Sequence, residues 1–222
     1  MKKILYSVAL AACCMGTMTS CSDFLDASNK SNVTDKQTFA TKEGLNNLVN
    51  DAYQHLQNVY AAPLFTSCFS AGTDMYADAR NKMNEALNTY ETLTPENSDI
   101  KNLYTYLYSG IRAANSVSYY AQTAQVDDKT KGQLIGEARV LAAYEYYLLV
   151  NNFGGVPIMK DFLTTADTGY PKSSPEDVYA YIISELEDVI SKNVLQASTA
   201  TKGGGRISQE TAKAILAKTY LS

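Results

Sequence analysis

The sequence predicts an all-α chain folded as antiparallel helical hairpins with long irregular loops. Three observations carry that expectation. Apolar residues recur at three- and four-residue spacing over much of the chain, which gathers them on one face of a helix. Residues with helix-start and helix-stop chemistry punctuate those runs. Sustained two-residue alternation, the mark of a half-buried strand, is scarce. Helices paired in this way form a bundle or a tetratricopeptide-like array, although no clean repeat near ~34 residues stands out.

The first segment is not part of that scaffold. Lys2 and Lys3 precede an apolar run over residues 4–15. The run falls short of the about 20 residues a membrane span needs and fits the core of an export signal. Met18-Thr19-Ser20-Cys21 then resembles a bacterial lipobox, with a small residue just before the cysteine. Leu10-Ala11-Ala12-Cys13 matches that pattern more closely, but cleavage there would leave too short a signal. Residues 1–20 therefore read as a lipoprotein signal peptide and Cys21 as the lipidation site. The likeness implies several acyl chains on Cys21. Each buried CH₂ contributes about 0.8 kcal/mol, so two or more chains hold a protein at a membrane stably. Residues 21–40, polar and without helical period, read as the lipidated N-terminus and tether; residues 41–222 form the helical domain.

Within that domain Leu45, Leu48, Val49, Ala52, Tyr53, Leu56 and Tyr60 form one stripe, closed by Ala61-Ala62-Pro63. Residues 64–97 show no sustained period beyond a short helix near 82–89. Ile100, Leu103, Tyr104, Leu107, Ile111, Ala114 and Val117 mark the next helix. Leu134, Ile135, Ala138, Leu141, Ala142, Leu148 and Leu149 mark a helix that is apolar nearly all round, hence central. Glu145 lies inside its stripe, so it should be at least half buried and bonded to an Arg or Tyr of a neighbouring helix. Gly154-Gly155 and Pro157 end this helix. Ser174-Pro175-Glu176-Asp177 starts another, with a capping serine, proline in the first turn and acids near the positive end. Ser208 can cap a last helix carrying Ala212, Ile215, Leu216 and Tyr220. With Tyr220-Leu221 still apolar and no glycine cap following, the chain is expected to be part of a longer protein and to associate through this helix.

Composition narrows the function. A net charge of −4 argues against a nucleic-acid partner, which needs a basic patch. Of the four cysteines, Cys13 and Cys14 fall in the signal and Cys21 is lipidated, so Cys68 alone stays free and no disulfide forms. No metal site, cofactor or catalytic residue is expected. His55 is the only histidine, read as a surface residue with no carboxylate or cysteine at ligand spacing. Gly203-Gly204-Gly205-Arg206 lacks the lysine and preceding strand of a phosphate loop.

The irregular stretch draws most interest, because long loops in compact domains often bind. Asp74, Asp78 and Glu85 could be imagined as glycosidase carboxylates. More of its residues suit binding. Asp74, Tyr76, Asp78, Arg80, Asn81, Asn84 and Tyr90 are the ligand-binding candidates, since rings stack on the CH face of a sugar while amides bond its hydroxyls. They equally suit a surface loop whose tyrosines pack on helices.

Three stretches together resemble the SusD/RagB family of outer-membrane nutrient-binding lipoproteins. They are Cys21-Ser22-Asp23-Phe24-Leu25-Asp26; Gly136-Glu137-Ala138-Arg139 running to Phe153-Gly154-Gly155-Val156-Pro157; and Gly205-Arg206 leading into residues 214–221. Leu107-Tyr108, Ile111 and Ala114-Asn115 add to the likeness. The resemblance implies a tetratricopeptide-like array without catalysis. It implies capture of glycan or another nutrient at the cell outer membrane and a SusC-like TonB-dependent transporter as partner. It also implies relatives about twice this length, with further ligand contacts in their second half. The tryptophans usual in the family are absent, which leaves the ligand class open. The alternatives are a lipid-anchored polysaccharide-processing enzyme and a helical-repeat scaffold that binds only protein.

Overall fold

Thr41 opens the first described helix, α1 (Lys42–Tyr60), its hydroxyl accepting from the Gly44 N–H as an N-cap should. The computed structural model describes residues 38–61, 63–76, 85–164, 169–201 and 205–222. Seven further helices follow among them: α2 (Leu64–Phe69), α3 (Glu85–Thr89), α4 (Ser98–Ala121), α5 (Asp128–Phe153), α6 (Pro175–Lys192), α7 (Ser198–Thr201) and α8 (Gln209–Tyr220). Asn97, Asp127, Ser174 and Ser208 cap α4, α5, α6 and α8 with side-chain oxygens. The starts read from Ser174 and Ser208 are thus the ones found. The described residues contain no strand, only an isolated bridge between Thr73 and Tyr76. None of their helices is long and apolar enough to cross a membrane.

Consecutive long helices pack on one another, α4 on α1 and on α5, α6 on α5, α8 on α6. The core runs through them as one cluster, with Leu45 and Val49 from α1, Leu107 and Ile111 from α4, Leu141 and Leu149 from α5, and Ile182 and Leu186 from α6. The all-α, tetratricopeptide-like architecture is therefore the one present. As its sequence suggests, α5 is buried on nearly every side. Gly154 ends it at φ 70°, where a side chain would be strained. Gly155 follows where any Cβ would collide with the Ser173 carbonyl. That close approach lets the chain turn back along α4. Tyr108 donates to the Pro157 carbonyl (2.7 Å), Asn115 to the Met159 carbonyl (2.8 Å), and the Met159 N–H donates to the Tyr146 hydroxyl (2.7 Å).

Two expectations need correcting. Residues 64–69 form a helix that the sequence hides, because six residues are too few for a periodic stripe. Glu145 is buried as expected, but among the described residues it bonds to no Arg or Tyr, and both carboxyl oxygens are without a partner. The partnered buried carboxylate is Glu137, two turns earlier. Arg206 Nε lies 2.7 Å from its Oε2, the Tyr53 hydroxyl donates to it (3.3 Å), and Gln133 donates to Oε1 (3.1 Å). Arg206 also donates to Asn50 (3.0 Å) and Asn46 (3.2 Å) on α1. Arg139, two residues on, bonds Glu185 at 2.7 Å and also Asp188 on α6. The residues that carry the family likeness in these two stretches are thus clamps between helices.

Candidate functional site

The candidate loop grows out of α2 and ends at α4. After Phe69 the chain turns tightly, with the Ala71 N–H donating to the Thr66 carbonyl (2.8 Å). Gly72 follows at φ 72°. Its lack of a side chain matters, because a Cβ there would overlap the Tyr90 hydroxyl and the Leu87 carbonyl. Tyr90 closes α3 and is itself left-handed at φ 63°, a conformation rare for a large residue and worth about 1–3 kcal/mol of strain. Its N–H donates to the Ala86 carbonyl (3.1 Å) and its hydroxyl to the Gly72 carbonyl (3.4 Å). The ring is pinned to the loop base and still 58% exposed.

Of the seven ligand-binding candidates, the structure describes three. Asp74 and Tyr76 sit on the exposed turn between Thr73 and Tyr76, and Tyr90 reaches the foot of that turn through Gly72. Asp78, Arg80, Asn81 and Asn84 lie outside the described residues, as does Cys21. Glu85, the third carboxylate of the glycosidase constellation, opens α3.

Beneath the turn lies a cavity of about 410 Å³, lined among others by Cys68, Leu87, Tyr90, Ile100 and Phe153. It was not foreseen, because its walls come from α2, α3, α4 and the end of α5. The Cys68 thiol in its wall is pushed up to about 11, first by burial and then by the Asp99 carboxylate, so it stays protonated and a weak nucleophile. Among the described residues no three His, Cys, Asp or Glu side chains gather to hold a metal ion. The reading of His55 needs one correction, since Asp51 lies four residues earlier and 3.8 Å from its Nε2. The i, i+4 spacing that would have shown the pair is in the sequence.

The described part of the loop thus presents Asp74, Tyr76 and Tyr90 at the surface, with Tyr90 also lining the cavity. Residues 23–221 match a SusD-like family model described as starch-binding associating with outer membrane. A SusD-like protein, P38, of Formosa agariphila is 28% identical over 190 residues, covering 83% of this chain and 36% of that protein. A SusD-like protein of Bacteroides ovatus is 27% identical over 207 residues, covering 91% of this chain and 36% of that one. Among solved structures, surface glycan-binding protein A from Bacteroides uniformis superposes with a TM-score of 0.68 at 25% identity, over 80% of this chain and 41% of that chain. A laminarin-binding SusD-like protein shares the fold with a TM-score of 0.69 at 23% identity, over 80% of this chain and 39% of its own. The chain therefore spans about a third of the length of the curated relatives it matches, less than the half expected.

Proposed function

Because the chain belongs to the SusD-like family, we propose that it is a surface lipoprotein that binds glycan or another nutrient. In this reading it hands that ligand to a SusC-like TonB-dependent outer-membrane transporter. The observation that carries the reading is the family match, which runs over residues 23–221. The role is one of capture without bond cleavage. Asp74, Tyr76 and Tyr90, with Asp78, Arg80, Asn81 and Asn84 of the same loop, form the ligand side, and acyl chains on Cys21 hold the protein at the membrane. The exposure of Tyr76 and Tyr90 is compatible with that assignment, since both leave ring surface open to a ligand.

Calorimetry with maltoheptaose and with laminarin tests the site. Each stacking ring contributes about 0.5–1.5 kcal/mol, so Tyr76→Ala with Tyr90→Ala should weaken binding by about tenfold or more. Unchanged affinity in the double variant would leave the loop a structural element only. The partnership is tested by purifying the tagged lipoprotein from detergent-solubilised outer membranes. A TonB-dependent barrel should accompany it, and elution of the lipoprotein alone would sink that part of the reading.

A further inference from the structure

A second concavity lies away from the loop, in the groove between α1 and α4. It measures about 490 Å³, and Asp51 and His55 face it from α1, Ser109 and Arg112 from α4, and Phe162 from the returning chain. Arg112 is the unusual member. Arg139 and Arg206 both hold carboxylates, whereas Arg112 rests its guanidinium over the Phe162 ring at 5.5 Å and meets no carboxylate among the described residues. Asp51, the acid facing the groove from α1, lies 3.8 Å from His55 Nε2. His55 Nδ1 also has no hydrogen-bond partner among the described residues. A guanidinium fork matches a carboxylate bidentately, and a ring beneath it occupies none of its N–H donors in a conventional hydrogen bond.

The groove continues into a neighbouring one, also about 490 Å³, that shares Ser109 and Arg112 and adds Tyr104, Tyr108 and Tyr170. Tyr104 and Tyr108 lie 4.7 Å apart between ring centroids, and Tyr108 is fixed by its bond to Pro157. Tyr104 also meets, edge to face, the Phe153 ring that lines the loop cavity. Tyr104, Tyr108 and Arg112 follow at four-residue steps along one face of α4. From Ile100 at the loop cavity to Arg112 the helix rises about 18 Å.

We propose that this face of α4 is an acidic-sugar subsite: Arg112 takes the carboxylate of a uronic acid residue, and Tyr104 and Tyr108 carry the neighbouring sugar rings toward the loop. The inference rests on the glycan-binding reading and narrows it to a ligand class. An uncharged glycan would leave the guanidinium without an anion, whereas a uronate supplies one and keeps the hydroxyls that Ser109 can bond.

The test uses the full chain in detergent and calorimetry with tetragalacturonate, with galactotetraose as its neutral counterpart, and with maltoheptaose and laminarin. The native chain should prefer tetragalacturonate to galactotetraose by about tenfold, and the preference should shrink as salt rises from about 50 to 500 mM. Arg112→Ala should abolish the preference, weakening tetragalacturonate binding much more than galactotetraose binding, and Arg112→Lys should restore part of it, since an ammonium keeps the charge and loses the fork. An unchanged thermal midpoint shows that both variants fold. Equal affinity of the native chain for the two tetrasaccharides overturns the subsite, as does a preference that survives Arg112→Ala. Binding of any neutral glycan in that case leaves the glycan reading standing, and failure to bind all four probes overturns both.

Discussion

Between Gly110 on α4 and the body of α5, the Glu145 side chain is fully enclosed and its two oxygens have no hydrogen-bond partner among the described residues. Gly110 is what makes room, since a Cβ there would overlap the carboxyl group. Burial alone raises the Glu145 pKa well above the ordinary carboxylate range. The folded chain therefore keeps a proton that the unfolded chain gives up near ~4.3. Its stability is complete below that pH and is lost as pH rises through the raised value, by at most about 1.4 kcal/mol per unit. Glu145→Gln removes the ionisation and nearly keeps the shape. Urea unfolding between pH 5 and pH 8 should show a flatter profile for the variant than for the native chain. Identical slopes would mean that Glu145 is not the group that titrates. Helical spacing was enough to place this carboxyl in the core. It could not provide a partner, because spacing within one helix says nothing about what the facing helix presents, and here that helix presents a glycine.

The long helices were legible because each carries its own stripe and cap, as α6 does with Ser174 and the row Val178, Ile182, Leu186 and Val189. The six-residue α2 was not, and neither was the cavity it helps to line, whose walls are far apart in the chain. Of the candidate site, residue type alone singles out Asp74, Tyr76 and Tyr90, whereas a single cation on a helix such as Arg112 carries no local signal. The joints between elements were equally hidden. Glu137 on α5 is 1% exposed and depends on Arg206, which precedes α8. The Ile207 N–H donates to the Tyr53 hydroxyl (2.7 Å), whose pKa is pushed up to about 12, mainly by burial. Arg206→Ala should therefore strand a buried carboxylate and cost about 3–5 kcal/mol, whereas Ser174→Ala, which removes only a cap, should cost about 1 kcal/mol. Denaturant midpoints of the two variants check the ranking, and equal losses would reduce the clamp to an ordinary surface pair.

At the scale of the whole molecule, membrane attachment in our proposal resides in one residue. Cys21→Ala should move the protein from the membrane fraction to the soluble one after cell lysis and ultracentrifugation. Retention of that variant in membranes, with Cys13 intact, would show that the anchoring cysteine was misassigned. The clamp also has a kinetic meaning. Arg206 meets Asn50 across 156 residues of chain, while α4 and α5 are joined by a short turn. Closing so long a loop costs about 4 kcal/mol of chain entropy, on the (3/2)RT ln n scaling, before any contact repays it. On that scaling the α4–α5 hairpin is expected to form early and the seam between α1 and the approach to α8 to close late. Interactions made after the rate-limiting step govern how fast a protein comes apart, not how fast it assembles. In stopped-flow chevrons, Arg206→Ala should therefore steepen the loss of native chain with little change in refolding rate. The seam at Arg206 would then be the latch that sets how long the folded chain survives before it opens.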